Sequence, residues 1–289
     1  MKIAVVSGKG GSGKSSVTAA LVALSPQVVA VDCDVDASNL PLLFPHQQVA
    51  HERFASGEEI VVDETSCVGC GLCVDKCAFH ALRLNDKGVA EAIDFSCEGC
   101  GLCVRLCPQR ALSIVKVENS DIFTSSFSGK VMVHGRLCPG DDNSGKMIAR
   151  MREIADEEMK QRQIPLQLLD GPPGIGCPVL STVTGVDRIV LVCEPTLSGI
   201  SDMQRIYKVS KSFCDKIVVI INKCDINRDN CQLIEDFCNE NRLPIVAQLP
   251  FDKKLVEAQI HCESIVTYAP ECECAKALNH AYELILARD

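Results

Sequence analysis

Eight of the nineteen cysteines in this 289-residue chain lie between Cys67 and Cys107, in two runs of one spacing. Cys67, Cys70, Cys73 and Cys77 form the first run; Cys97, Cys100, Cys103 and Cys107, followed by Pro108, form the second. Three thiolates on a tight turn cover one corner of an iron–sulfur cubane, and the fourth ligand has to come from elsewhere; in two-cluster modules it comes from the other run. The spacing therefore predicts one [4Fe-4S] cluster on Cys67, Cys70, Cys73 and Cys107 and a second on Cys97, Cys100, Cys103 and Cys77. Zinc sites favour paired CxxC knuckles at longer separation with four ligands in all, a different pattern. Ala78 stands where the second run has Pro108, so cluster geometry near Cys77 is expected to depart a little from that near Cys107.

A second chemical locus is Gly8-Lys9-Gly10-Gly11-Ser12-Gly13-Lys14-Ser15, with Ser16 behind it, which fits the phosphate-binding pattern GxxxxGK[ST] between an apolar strand and a helix-permissive run. Glycines without Cβ atoms let successive backbone N–H groups face the phosphates, while the helix start adds its dipole and Lys14 its charge. Ser15 is then placed to ligate Mg²⁺. Leu168-Leu169-Asp170-Gly171-Pro172-Pro173 is an apolar strand ending in one carboxylate and a rigid turn, so Asp170 is expected to hold the same Mg²⁺ through water. Asp32, Asp34 and Asp36 alternate beyond another strand, where open α/β sheets collect their ligands.

The elements that must position these residues follow from periodicity. Apolar, non-alternating runs at 3–6, 28–31, 166–169, 189–192, 217–221 and 245–249 read as buried parallel strands, and helices are predicted over 146–161, 201–213, 230–241 and 273–287. The alternation gives a doubly wound, mostly parallel α/β sheet. The cysteine-rich stretch interrupts it: Cys67–Leu82 repeats thirty residues later as Cys97–Leu112, identical at ten of sixteen positions, so a small α+β module with two-fold pseudosymmetry is inserted. The expected organisation is residues 1–57 and 118–289 as the two parts of one nucleotide-binding domain, with 58–117 as the insertion.

Composition narrows the classes. The chain carries 29 basic and 38 acidic residues, a net −9, with no long Lys/Arg run, which argues against nucleic acid as a partner. The first apolar run is cut short by Ser7-Gly8-Lys9 and no 18-residue apolar stretch occurs, so neither a signal peptide nor a membrane span is expected and the protein is read as cytoplasmic. A cytosolic pool of thiols, odd in number, points to metal rather than to a disulfide framework.

The sequence Lys9-Gly-Gly-Ser-Gly-Lys14-Ser15 resembles the deviant Walker loop of the MinD/Mrp superfamily of P-loop ATPases, in particular the subgroup with an inserted bacterial-type ferredoxin domain, and more distantly the nitrogenase iron protein. Glu194-Pro-Thr-Leu-Ser-Gly199 looks like that subgroup too. The resemblance implies ATP and Mg²⁺ as cofactors beside the two [4Fe-4S] clusters, and a nucleotide-dependent homodimer, or a heterodimer with a paralogue, in which Lys9 reaches the partner's phosphates. It assigns the attacking water to Asp34, more indirect metal or nucleotide contacts to Asp32 and Asn39, nucleotide sensing to Gly171 and its neighbours, and adenine recognition to Asn222 and the Pro250 loop. Cys138 and Cys177 would, by the same likeness, bind a third, dimer-bridging metal cluster. Two functions stay open: ATP hydrolysis coupled to electron transfer towards a redox partner, and an Mrp-type carrier that delivers an iron–sulfur or mixed-metal cluster to an acceptor protein.

Overall fold

The computed structural model describes every residue except Phe95, Asp142, Arg288 and Asp289; the last two residues of the segment expected to run to 289 thus lie outside the described residues. The strands are β1 (Lys2–Ser7), β2 (Val29–Asp32), β3 (Gln47–Val62), β4 (Leu82–Leu84), β5 (Ala90–Ala92), β6 (Leu112–Phe127), β7 (Lys130–Arg136), β8 (Gln167–Pro173), β9 (Arg188–Cys193), β10 (Ile217–Asn222) and β11 (Ile245–Leu249). The helices are α1 (Lys14–Leu24), α2 (Leu72–Asp75), α3 (Leu102–Leu106), α4 (Ser144–Arg162), α5 (Cys177–Val183), α6 (Leu197–Ser210), α7 (Arg228–Glu240), α8 (Lys253–Ile260), α9 (Ile265–Tyr268) and α10 (Glu273–Leu286). Nine strands form one sheet in the order β11-β10-β9-β1-β8-β2-β7-β6-β3, and β4 pairs with β5 alone.

Two compact units divide the chain. The first comprises Met1–Glu52, Ile122–Arg136 and the chain from Ser144 onward. Its strands β2, β9 and β10 are buried at every position, so helices cover both faces of the sheet and no polar alternation is needed. The pairings β1–β8, β1–β9, β2–β8, β2–β7, β9–β10 and β10–β11 are all parallel. The departure is β6 to β7, joined by Ser128 and Gly129 at φ 45° and 75°, a two-residue turn of the kind that closes an antiparallel hairpin. α1 packs with α9 and α10, and α4 packs with α5 against the sheet, leaving Ile3, Leu21, Leu168, Ile189 and Leu191 among the fully buried side chains.

The regular strands lie within a residue or so of the positions that periodicity predicts, apart from β8, which runs on from the expected 166–169 to Pro173. Other elements differ for local reasons. α6 begins at Leu197, four residues earlier than expected, because Thr196 caps it: its Oγ1 accepts from Gly199 N at 3.0 Å. α5 and α8 are too short for a helical period to register, and β3 over much of its length and β6 in its first half are exposed.

The second unit comprises Arg53–Asp121 and Leu137–Asn143, so it is wider than the cysteine-rich stretch. Leu137–Asn143 joins it through hydrogen bonds: Cys138 N donates to Ser120 Oγ at 2.8 Å, and Ser56 Oγ donates to Asp141 at 2.5 Å. Its core is Ile60, Cys73, Leu82, Ala90, Cys103 and Leu112. The duplication is visible in the backbone: Ile93 N donates to Ala81 O at 2.9 Å and, thirty residues displaced on each side, Asp63 N donates to Ala111 O at 2.8 Å.

His134, on β7 in the first unit, stacks on Phe123 (5.2 Å) and meets His46 edge-on (5.6 Å). Burial, then the neighbouring His46, pushes its pKa from 6.5 down to about 4. As pH falls through 6.5 the unfolded chain takes a proton that the folded chain refuses until about 4, so stability is present above this window and lost on descending through it. Discounted for partial exposure, the loss should be about 2 kcal/mol. Urea unfolding at pH 7 and pH 4 should show that much less acid destabilisation in His134→Phe than in the wild type; equal slopes would contradict the assignment.

Candidate functional site

The glycine-rich loop runs from the end of β1 into α1. Gly13 holds the N-cap in the left-handed region at φ 89°, and no side chain caps the helix, so the first-turn N–H groups remain available for an anion. A Cβ on Gly13 would lie 2.1 Å from Asn222 Nδ2, so a glycine is needed for space as well as for backbone angle. Lys9, Gly10, Gly11, Ser12, Gly13, Lys14, Ser15, Ser16, Asp34 and Asn39 all line one cavity at this loop. Gly8 sits behind it, where a Cβ would meet Asp202 at 2.4 Å.

Lys14 is 6% exposed and Asp170 1%; Lys14 Nζ lies 2.9 Å from Asp170 Oδ1, and Thr18 Oγ1 donates to the same oxygen at 2.8 Å. Burial works against the Lys14 charge, but the attraction of Asp170 and its hydrogen bond outweigh it, so the pKa is raised. Asp170 Oδ2 is buried without a hydrogen-bond partner among the described residues. An orphaned buried carboxylate oxygen beside Ser15 suits the water shell of Mg²⁺. Asp32, paired in register with Asp170 across β2 and β8, is fully buried, and burial then Asp170 push its pKa up to about 7. It accepts from Ser38 Oγ (2.7 Å), Leu40 N (3.0 Å) and Asp34 N (3.1 Å), so it shapes the loop that carries Asp34 and Asn39. Burial also raises the pKa of Asp34. Gly171 packs against β1, where a Cβ would lie 2.8 Å from Val6.

An adjoining apolar cavity is lined by Asn222, Pro250, Phe251, Leu255, Val256 and Leu278 among others. Asn222 Nδ2 donates to Ser12 O at 2.8 Å and its Oδ1 accepts from Lys223 N at 3.0 Å, so this side chain braces the phosphate loop as well as facing the cavity. Asp225 Oδ1 accepts from Phe251 N at 2.8 Å. Sequence reasoning quoted Glu194 without giving it a role. Glu194 accepts an ion pair from Lys9 on one oxygen and from Lys223 on the other (3.0 Å), and Lys9 also donates to Thr196 Oγ1 at 3.1 Å. These two lysines hold the Glu194 pKa down against its burial. Its position directly after β9 was the available signal, the same strand-end rule that found Asp32 and Asp170.

In the second unit Cys67, Cys70, Cys73 and Cys107 line one cavity, three thiols from one run and the last from the other. Ala111 N donates to Cys107 Sγ at 3.3 Å, and the equivalent Ala81 N donates to Cys77 Sγ at 3.3 Å, so the last thiol of each run has the same local backbone setting. Burial and then the neighbouring Cys67 and Cys70 raise the Cys73 pKa; Cys103 is raised likewise, with Cys97 and Cys100 as its neighbours. Crowded thiols of this kind need a cation to ionise together. Among the described residues no three His, Cys, Asp or Glu side chains converge on a single-ion site. Cys138 belongs to the second unit and is half-buried, whereas Cys177, exposed, opens α5 in the first. Buried thiols elsewhere are held neutral: burial pushes Cys33 and Cys274 up to about 12 and Cys238 to about 11.

The family model for the CobQ/CobB/MinD/ParA nucleotide-binding domain matches residues 3–265. The chain is 37% identical over 235 residues, 80% of each chain, to the uncharacterized protein MJ0578 of Methanocaldococcus jannaschii. It is 23% identical to MJ0579 of the same organism over 93% of this chain and 92% of that one. Among solved structures, the Pyrococcus furiosus cell division ATPase MinD superposes with a TM-score of 0.57 at 20% identity, covering 98% of this chain and 96% of that one. The Pyrococcus horikoshii septum site-determining protein MinD complexed with Mg-ADP gives 0.58 at 19%, covering 99% and 96%. These likenesses show the fold. Among the described residues no helix is long and apolar enough to cross a membrane.

The buried pair makes a direct prediction. Lys14→Met leaves Asp170 without its cation and should lower unfolding stability by about 3–5 kcal/mol, and Asp170→Asn added to it should recover most of that loss without restoring nucleotide binding. Denaturant titration beside fluorescent ATP-analogue binding checks both halves; a double variant as unstable as the single one would contradict the pairing.

Proposed function

Because the chain belongs to the CobQ/CobB/MinD/ParA nucleotide-binding family, we propose that it is a Mg²⁺-dependent ATPase with an inserted ferredoxin-like domain, in which nucleotide turnover is coupled to electron transfer through two [4Fe-4S] clusters. One observation carries the redox half: thiols from both cysteine runs, Cys67, Cys70, Cys73 and Cys107, surround one cavity in a chain that also has a complete phosphate loop. The two sites would hold one cluster each, and each cluster supplies one-electron storage when bound.

The residues divide the ATPase work. The loop N–H groups and Lys14 bind the phosphates, and Lys14 is held ready for them by Asp170. Mg²⁺ would be held by Ser15 and, through water, by Asp170, and would supply neutralisation of phosphate charge. Asp34 lines the phosphate cavity and is the residue to orient the attacking water; burial raises its pKa, which makes its carboxylate a better proton acceptor. Adenine is the occupant we assign to the apolar cavity, because the Lys9–Ser15 loop and the turns after Asp32 and Asp170 resemble those of ATP-binding members of the family. Lys9 would leave Glu194 to reach the phosphates of a second copy or a paralogue in the nucleotide-bound dimer. The protein would work in the cytoplasm beside a redox partner.

A carrier reading has its own support in Cys177, which is exposed at the start of α5, with Cys138 as the second candidate ligand of a bridging metal cluster. Iron and sulfide analysis with EPR of anaerobically purified, dithionite-reduced protein separates the readings. About eight irons per chain and two interacting signals, both unchanged in Cys177→Ala, are expected for the relay. Iron that falls on that substitution and transfers to an apo-acceptor would move the function to cluster delivery, and zinc in place of iron would overturn the redox account.

A further inference from the structure

Duplication lets the two cluster loops be compared position by position, because residue i of the first run matches residue i+30 of the second. Each loop is covered at its central glycine by a residue from the opposite side of the pseudo-two-fold. At Gly69 a Cβ would meet the backbone oxygen of Gly88 at 2.1 Å; at Gly99 it would meet Glu58 Oε2 at 2.7 Å and Glu58 Cβ at 3.3 Å. Gly88 and Glu58 are themselves thirty apart, so they are the same structural position. One loop is therefore covered by a neutral peptide carbonyl and the other by a carboxylate side chain. The second loop carries a counter-charge as well: Arg105 Nη2 donates to Cys100 O at 3.3 Å, and the matching residue in the first run is Asp75.

Resting on the proposed two-cluster reading, the geometry points to Glu58 and Arg105 as the residues that set the reduction potential of the cluster held by Cys97, Cys100, Cys103 and Cys77, independently of its twin. Reduction adds one electron and hence one negative charge to the cluster, so a carboxylate against the loop opposes it and a guanidinium favours it. Hydrogen bonds to sulfur act in the same balance. Gly99 N donates to Cys97 Sγ at 3.4 Å, a bond from a neutral amide whose effect is smaller than that of a full charge. Both charged side chains are exposed, so their influence is reduced by solvent and shrinks further with salt.

The test is an EPR-monitored redox titration of the anaerobically purified full chain at low and high salt, with Glu58→Gln and Arg105→Gln. Iron content and the two reduced-state signals of the wild type report on the two-cluster reading itself; absence of two clusters ends that reading and this inference with it. With both clusters present, Glu58→Gln should raise one midpoint and Arg105→Gln should lower the same one, each by roughly threefold to tenfold in the reduction equilibrium at low salt, with the other midpoint unmoved. A salt-sensitive pair of opposite shifts is not what a general loosening of the loop would give. Unchanged midpoints at full iron content, shifts of one sign in both variants, or equal movement of both clusters would overturn the inference while leaving the two-cluster reading standing. If a variant loses iron, Glu58→Asp and Arg105→Lys, which keep the charges, should retain the wild-type midpoints; a shift of either would overturn it.

Discussion

The nucleotide half of this molecule depends on one buried ion pair. Lys14 and Asp170 come from elements separated by 156 residues, and both are almost wholly removed from water. Breaking such a pair costs more than making it gains, because either charge left alone in the interior is uncompensated. That asymmetry fixes the start of α1 against the end of β8, and with it the phosphate loop against the Asp170 turn. Thr18 adds a donor to the shared oxygen, and Asp32 stands in register beside it with a raised pKa. Three carboxylates and one lysine form a charge set left incomplete by protein groups alone, as the orphaned Asp170 Oδ2 shows.

How much of this was legible in the sequence depended on whether a residue's role is local. Gly8 to Ser15 could be read because a strand, a glycine-rich turn and a helix start are adjacent in the chain. Asp170 could be read because a buried strand ending in a single carboxylate is itself a short pattern. Glu194 had the same placement after β9, but its meaning lies in Lys9 and Lys223, which only the folded sheet brings to it. Asn222 shows the limit from the other side. The resemblance of its loop to a base-recognition loop implied that it faces the nucleotide, while its hydrogen bond to Ser12 O, 210 residues away, could not be inferred from spacing. The exposed reaches of β3 and β6 left no periodic trace, since no buried face disciplines their composition.

The duplicated cysteine segment is legible for a different reason. A repeat with two-fold pseudosymmetry predicts each half from the other, and the backbone bonds Ile93 to Ala81 and Asp63 to Ala111 obey it. The symmetry fails in one informative place. β4 and β5 are closed by a tight turn in which Asn85 N donates to Val89 O and Gly88 N to Asn85 O. The matching end of the other half is not closed, and the chain instead continues along β3 and β6. It is at this open end that Glu58 takes the place of Gly88.

β3 and β6 each run across the boundary between the two units. The chain crosses between its compact units four times, after Glu52, Asp121, Arg136 and Asn143. The relevant strands are already tied to the nucleotide site. Asp32, whose carboxylate shapes the Asp34 loop, pairs in register with His134 of β7, and β7 turns through Ser128 and Gly129 directly into β6, which continues to Leu112, next to the Ala111 that donates to Cys107 Sγ. Asp32 therefore has its backbone held by β7 on one side and β8 on the other, and its carboxylate by the loop that carries Asp34.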